Sequence, residues 1–516
     1  MCRKPAALAV AAAGLAWPWL FSVAVAAPPT LDALIPSGGR VGEEIATLTV
    51  VGKAEPWPCQ VWCSNPGVTF QPGEKAGQYK VSVKKDAATG PALVRLFNGD
   101  GASEPRFFVV SGLREIAEDE KVANDNPGQA TDVGALPVVI NARLEKAQDF
   151  DAWRVSLKKG QTLEARIDGY ALRSGIDPFL HLYDGKGARL ELVSDGPKSL
   201  DPRLRHVAGA DGDFVVAVMA IDHPASTNVA FSGAPKAAYR LTLSVGQADP
   251  KVAGVGDGPA AAADSLPPAD GAPMALPIKG WGTLAKPAEA DRVKFSAKKG
   301  QSIRIEVDAF GQGFPTDPVL AVEKGDGSLI REIDDDKADR DAVMVYAIPA
   351  DGEYACRVYD RFGRGGAEMR YHLEIKEAKP DFYATADQLG YVVKAGEKGS
   401  VKLKIERRDG HAQALVATLT GLPSGVTAAA VKIDAKAAEA TVEIAATGEA
   451  AAFSGPVRVV VVEEAGDAKL SHPAVFTFQN ADSRGAYLID EVADLWLTVT
   501  PKAAPKPETA KDDKKK

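Results

Sequence analysis

The chain has few of the residues that usually carry chemistry: in 516 residues there are four cysteines and six histidines, and aromatic side chains make up 7%. It contains no His-Glu-x-x-His, no Gly-x-Ser-x-Gly and no phosphate loop, so the short signatures of zinc proteases, α/β-hydrolases and nucleotide hydrolases are missing. The histidines, His181, His206, His223, His372, His411 and His472, stand far apart in sequence. After the first 26 residues no long stretch shows the apolar spacing of three and four that marks an amphipathic helix. The net charge of −8 is modest and both signs are interspersed, which leaves no basic stripe for nucleic acid.

Cysteine usage is equally limiting. Cys2 precedes an apolar run, which leaves Cys59, Cys63 and Cys356, an odd number that cannot all pair. On a straight strand the α-carbons of Cys59 and Cys63 would be about 13 Å apart, against a limit of about 7 Å for a disulfide. A bridge therefore needs a turn, and Pro56, Pro58 and Pro66 leave both readings open. Cys356 falls inside an apolar strand pattern and reads as a buried thiol.

Arg3 and Lys4, the apolar run Ala6 to Val25 and the small residues Ala24-Val25-Ala26 form an export signal over residues 1–26. An uncleaved membrane anchor is the alternative, and either reading places the bulk of the chain in the periplasm, at the cell surface or outside the cell.

The dominant feature is an ungapped internal repeat, in which residues 136 to 218 recur 140 positions later as 276 to 358. Lys158-Lys159-Gly160-Gln161 matches Lys298-Lys299-Gly300-Gln301, Asp177-Pro178 matches Asp317-Pro318, and Asp211-Gly212 matches Asp351-Gly352. Trp153, Val155 and Leu157 alternate with polar residues, as do Val293, Phe295 and Ala297 in the second copy, which predicts strands with one buried face. Short strands at this spacing predict β-sandwiches.

The expected organisation is all-β: a signal over 1–26, an immunoglobulin-like sandwich over 28–111, a first repeat module over 112–246, a flexible linker over 247–273, a second module over 274–377, a second immunoglobulin-like sandwich over 378–482, and a C-terminal strand with a disordered tail over 483–516. The linker is rich in Ala, Gly, Pro and Asp, so the two modules are expected to reorient freely. The alternation of Leu495, Leu497 and Val499 predicts one more strand, with no evident partner.

The series Asp149-Phe150-Asp151-Ala152-Trp153, Lys159-Gly160-Gln161, Asp177-Pro178-Phe179-Leu180 and Asp211-Gly212-Asp213-Phe214, with its second copy, resembles the bacterial pre-peptidase C-terminal domain. That resemblance implies a jelly-roll-like sandwich of the kind found beside catalytic domains in secreted peptidases and in arrays on envelope proteins. Leu34-Ile35-Pro36-Ser37-Gly38-Gly39 is similar to an IPT/TIG-type immunoglobulin-like domain, and Gly421-Leu422-Pro423-Ser424-Gly425-Val426 is similar to bacterial domains of the NEW3 group.

One loop has the composition of a metal site. Asp334, Asp335, Asp336, Asp339 and Asp341 offer the carboxylate oxygens that calcium prefers, and calcium binding occurs in collagenase relatives of the domain the repeat resembles. Lys337 and Arg340 intervene and the twelve-residue loop pattern is missing, so a solvated acidic turn is the competing reading. No other cofactor site and no catalytic residue is expected. Trp153 is expected in a core, Trp281 between Gly280 and Gly282 on an exposed platform, and Trp57 and Trp62 on a surface patch.

These features point to an exported, noncatalytic binding, adhesion or scaffold protein of the bacterial envelope, with an extracellular protein or polysaccharide as partner. The alternatives are an accessory subunit of a secreted peptidase, or a cryptic one, and a purely structural envelope component.

Overall fold

The computed structural model describes residues 27–196, 199–224, 231–246, 265–266, 270–310, 314–335, 340–466, 469–478 and 485–502. The expected signal, most of the expected linker and the tail from residue 503 lie outside them. Among the described residues the chain is all-β, with no α-helix and one 3-10 turn at Pro127–Gln129. Buried apolar side chains gather into four separate interiors, one for each expected sandwich.

The second module has eight strands: Ile278–Thr283, Ala290–Ala297, Ser302–Asp308, Pro318–Lys324, Leu329–Ile333, Val343–Ala347, Gly352–Asp360 and Arg370–Glu377. Counted in that order, they lie first-eighth-third-sixth in one sheet and second-seventh-fourth-fifth in the other, which is the jelly-roll arrangement. The first module repeats it and adds the parallel strands Arg114–Ala117 and Thr131–Asp132 at its sheet edges. Even a local register shift recurs, between Leu182 and Tyr183 and between Val322 and Glu323.

The repeated residues explain this duplication. Trp153, Val155 and Leu157 enter one core, and Val293, Phe295 and Ala297 the other. Gly160 and Gly300 both adopt φ +83°, a left-handed turn that an L side chain would strain. The Gln161 side chain accepts the Lys158 amide at 2.7 Å, and Asp211 accepts the Lys159 amide at 2.8 Å. Gln301 and Asp351 hold Lys298 and Lys299 in the same way, both at 2.7 Å. The Lys-Lys-Gly-Gln and Asp-Gly motifs thus lock one corner of each jelly roll.

The flanking sandwiches share a different plan. In the first, the sheet Thr30–Ile35, Glu44–Lys53, Gln78–Val83 and Val68–Pro72 faces Gly38–Arg40, Arg106–Ser111, Gly90–Asn98 and Gln60–Cys63. In the last, Asp381–Ala386, Lys398–Arg408, Glu439–Ala446 and Val426–Thr427 face Gly390–Lys394, Leu495–Thr500, Phe453–Glu463, Leu415–Thr420 and Val431–Ile433. In both, the entering strand splits between the sheets, and its second half pairs parallel to the final strand. Leu495–Thr500 therefore belongs to the last sandwich, between Gly390–Lys394 and Phe453–Glu463, and extends that unit beyond the expected limit at 482.

The linker is also shorter than composition predicts: Ser265 bridges to Trp281, and the Leu266 amide bonds the Trp281 carbonyl, so both belong to the second module. Cys59, Cys63 and Cys356 are free thiols. Cys63 ends the strand Gln60–Cys63 and Cys59 directly precedes it, so the turn that a bridge requires is not there.

The units do not hang as a loose string. Arg240 of the first module is buried in a two-pronged pair with Glu115, at 2.9 and 3.1 Å, and also bonds Asn141 at 2.7 Å. Ser111, at the end of the first sandwich, donates to the same Glu115 at 2.6 Å. The last sandwich folds back onto the first: the Trp496 ring lies 5.7 Å from Trp62 and 5.3 Å from Phe97, with the Arg95 guanidinium 5.5 Å away. Arg173 of the first module sits 4.2 Å over Phe478, and the Tyr170 ring packs tilted against Tyr487 at 5.3 Å. Leu93, Phe107, Leu172, Leu389, Phe478 and Val492 form a fifth apolar cluster at this three-way junction.

Candidate binding cleft

The expected acidic loop is divided by the fold. Asp336 and Asp339 lie outside the described residues. Asp334 pairs with Arg361. Asp341 turns inward, where its carboxylate accepts the amides of Ala309 at 2.9 Å and Phe310 at 2.8 Å. Its repeat partner Asp201 does the same with Gly169, Tyr170 and Ala171. Asp341 is thus a structural carboxylate shared by both modules, and two members of the expected calcium set already have other partners. Among the described residues no three His, Cys, Asp or Glu side chains are placed to share an ion.

Asp317 is buried at the start of its strand, and one carboxylate oxygen has no hydrogen-bond partner. Burial raises its pKa and nearby Asp335 adds to the effect, against Arg340 and Arg361.

The histidines occupy unconnected places. His206 contacts Glu191 at 2.6 Å, His472 contacts Asp381 at 2.8 Å, and His181 contacts Tyr183 at 3.3 Å. His223 packs on Tyr170 and His372 on Trp281. His411 looks most like a catalytic base, with Arg407 at 2.7 Å on Nδ1 and Glu463 at 3.0 Å on Nε2. Arginine can only donate, so Nδ1 accepts and Nε2 carries the proton toward Glu463. That leaves no ring lone pair to take a substrate proton.

The tryptophans are packing residues. Trp153 is buried and its Nε1 donates to Tyr239 at 3.1 Å. Trp57 packs edge-on against the core residue Tyr79, and Trp62 serves the junction rather than an open patch. Trp281 is half-buried among Phe314, His372 and Arg370, so it is not the expected platform. The adjoining Gly282 has a packing cause, since a Cβ there would lie 2.2 Å from the Tyr371 ring.

A cleft of about 1110 Å³ lies between the second module and the last sandwich. Its floor is the outward face of Ser302–Asp308 and Arg370–Glu377, which presents Arg304, Glu306, Glu374 and Lys376. Arg304 pairs with Glu306 at 2.5 Å, and Lys376 reaches Glu306 at 3.2 Å and Glu374 at 2.5 Å. The turn at Arg408 and Asp409 forms one wall, and Pro273 to Pro277 line another side. Arg304 Nη1 spans to Asp409 Oδ1 at 3.1 Å and so joins the two units across the opening. Burial alone would raise the Glu306 pKa, but Arg304 and Lys376 together hold it below its ordinary value. It is an ionised acceptor, poorly suited to give up a proton. Lys298 and Lys379 line the same cleft, and among the described residues neither has an ion-pair partner. Nothing in the sequence flagged these residues, because charged side chains on the outward phase of a strand look like ordinary solvated surface.

No family model matches the chain, and no curated protein matches it. Solved structures that the comparison finds include a DUF4785 family protein from Legionella pneumophila, at 12% identity and a TM-score of 0.12, covering 39% of this chain and 63% of that one. Another holds the M60 catalytic domain with the CBM51-1 and CBM51-2 domains from Clostridium perfringens ZmpB, at 9% identity and a TM-score of 0.14, covering 68% of this chain and 46% of that one. The chain thus spans less than two thirds of the length of either, and at these scores neither carries an argument about activity.

Proposed function

We propose that this is an exported, noncatalytic binding protein of the bacterial envelope, built from two modules of the pre-peptidase C-terminal kind between two immunoglobulin-like sandwiches. The observation that carries the reading is the cleft between the second module and the last sandwich: it is large, open and lined by charged side chains, and its carboxylates Glu306, Glu374 and Asp409 are tied to cations. Such a lining suits recognition of a charged or heavily hydroxylated chain, an extracellular peptide or polysaccharide, through many modest polar contacts. His411, the histidine with the most elaborate partners, has both ring nitrogens committed, which supports binding over hydrolysis. The resemblance of the repeat supports export and envelope location.

The test is binding of the mature chain to arrays of envelope polysaccharides and peptides. Binding that weakens at least about tenfold in Lys376→Glu, a change of about 1.4 kcal/mol, supports the cleft as the site. Hydrolysis of a peptide or glycoside library, lost on substitution of one histidine or serine, would overturn the noncatalytic reading.

A further inference from the structure

The four sandwiches are not held together in the same way. The first sandwich is tied to the first module by Ser111, which donates to Glu115 at 2.6 Å, and Glu115 is fixed in turn by Arg240 of the same module, the two side chains being 7% and 3% exposed. The last sandwich joins both through Trp62, Trp496, Phe478 and Tyr487, an apolar contact that cannot loosen without wetting aromatic rings. The second module meets the last sandwich differently. An open cleft lies between them, spanned by the Arg304 to Asp409 pair, whose side chains are 25% and 11% exposed. A single ion pair at a partly open site is a weaker and more salt-sensitive tie than a buried aromatic contact.

The covalent connection has the form of a hinge. The second module ends with the Ala378 amide bonded to the Ser302 carbonyl at 2.8 Å, and the last sandwich begins at Asp381. Between them stand only Lys379 and Pro380, both exposed. By contrast, Gly112 and Leu113, which join the first sandwich to the first module, lie beside the buried Glu115 and Ser111 contacts.

We infer that the second module is a hinged arm on an otherwise rigid body of three sandwiches, turning about Lys379 and Pro380 with the Arg304 to Asp409 pair as its catch. Rotation changes the width of the cleft while each β-sandwich stays intact, so the site can close on a chain laid across the floor and release it. The inference rests on the binding reading only in naming the cleft as the place where a ligand is gripped. The motion itself does not depend on any ligand.

The test uses paired spin labels on the full mature chain in a Cys63→Ala background, with Cys59 and Cys356 buried. One pair, Lys324→Cys with Lys432→Cys, spans the second module and the last sandwich; the control, Lys53→Cys with Lys432→Cys, spans the first and last sandwiches. The expected result is a distance distribution at least about twofold broader for the first pair, broadened further by Asp409→Asn, while the control stays narrow and unchanged. Arg304→Gln serves as a second variant and should act like Asp409→Asn. Two equally narrow distributions, both indifferent to these substitutions, would overturn the hinge. That result would leave a preformed cleft able to bind, whereas silent arrays with a broad first pair would defeat the binding reading and leave the hinge standing.

Discussion

The hydroxyl of Tyr239 donates to Asp151 Oδ2 across 2.6 Å inside the first module, where both residues are buried. The second module contains the same pair: Tyr371 donates to Asp291 Oδ2 at 2.5 Å. The aspartates follow the 140-residue offset of the repeat, but the tyrosines are 132 positions apart, so the pair has kept its geometry across a change in chain length. Burial, with Glu118 nearby, lifts the Asp151 carboxyl well above its usual range, which makes the hydroxyl an important partner.

Tyr239→Phe removes that donor while keeping the ring. The expected loss is about 1 to 3 kcal/mol, the cost of leaving a buried acceptor unpaired. Trp153 adds to it, because its Nε1 loses the Tyr239 oxygen as acceptor. Urea unfolding of Tyr239→Phe and Tyr371→Phe should show both losses, with the larger in the first module.

Asp201 makes the first module sensitive to pH. Burial, reinforced by Asp168, pushes its carboxyl up to about 7 even though three backbone amides favour the ionised form. The folded module then retains a proton that the unfolded chain releases near its ordinary value of 3.8. Its stabilising contribution is full below that value and is lost as pH rises through about 7. Glu118, also raised to about 7 by burial, acts in the same direction. The melting temperature should therefore fall from about pH 5 to about pH 8, and Asp201→Asn with Glu118→Gln should flatten the curve.

The acidic loop yields a prediction that separates structure from metal binding. Asp341→Asn weakens the acceptor that holds the Ala309 and Phe310 amides, and should cost about 1 to 3 kcal/mol. The loss should be the same in millimolar calcium and in chelator, measured by calorimetry. A deficit that appears only with calcium would establish the loop as a metal site.

Removing one aromatic ring should test the junction. Trp496 is 2% exposed, and Trp496→Ala should cost about 3 to 5 kcal/mol. Trp62→Ala strikes the same contact from the first sandwich, where Trp62 is only half-buried, so the last sandwich should stay folded but undock. Small-angle scattering should then give a larger radius of gyration with unchanged circular dichroism.

The three thiols should titrate as free after denaturation and react slowly before it. Burial pushes Cys63 up to about 11, so little thiolate is present at neutral pH. A mass spectrum showing a Cys59 to Cys63 link would contradict the straight strand between them.

Sandwich architecture was legible because alternation in segments such as Val293 to Ala297 reports which face is buried, and the repeat revealed the module twice. The contacts between sandwiches were not. Trp496 lies on the opposite phase from Leu495 and Leu497, and an outward ring on a strand looks the same in sequence whether water or another sandwich covers it. Trp62 was misread as surface for that reason. Composition counts the carboxylates of the acidic loop but does not show that Asp341 faces the backbone. The cleft depends on two units meeting, and the charges of Arg304 and Asp409, 105 positions apart, give no local sign of it.

The strand Leu495–Thr500 fills the place between Gly390–Lys394 and Phe453–Glu463 and also carries the tryptophan that reaches the first sandwich. A ribosome must therefore deliver this segment before the last sandwich can close its sheet. Proteolytic trimming ahead of Leu495 would open a gap in one sheet and remove the Trp496 contact with the first sandwich in a single cut, leaving Phe478 and Tyr487 as the remaining hold on the first module.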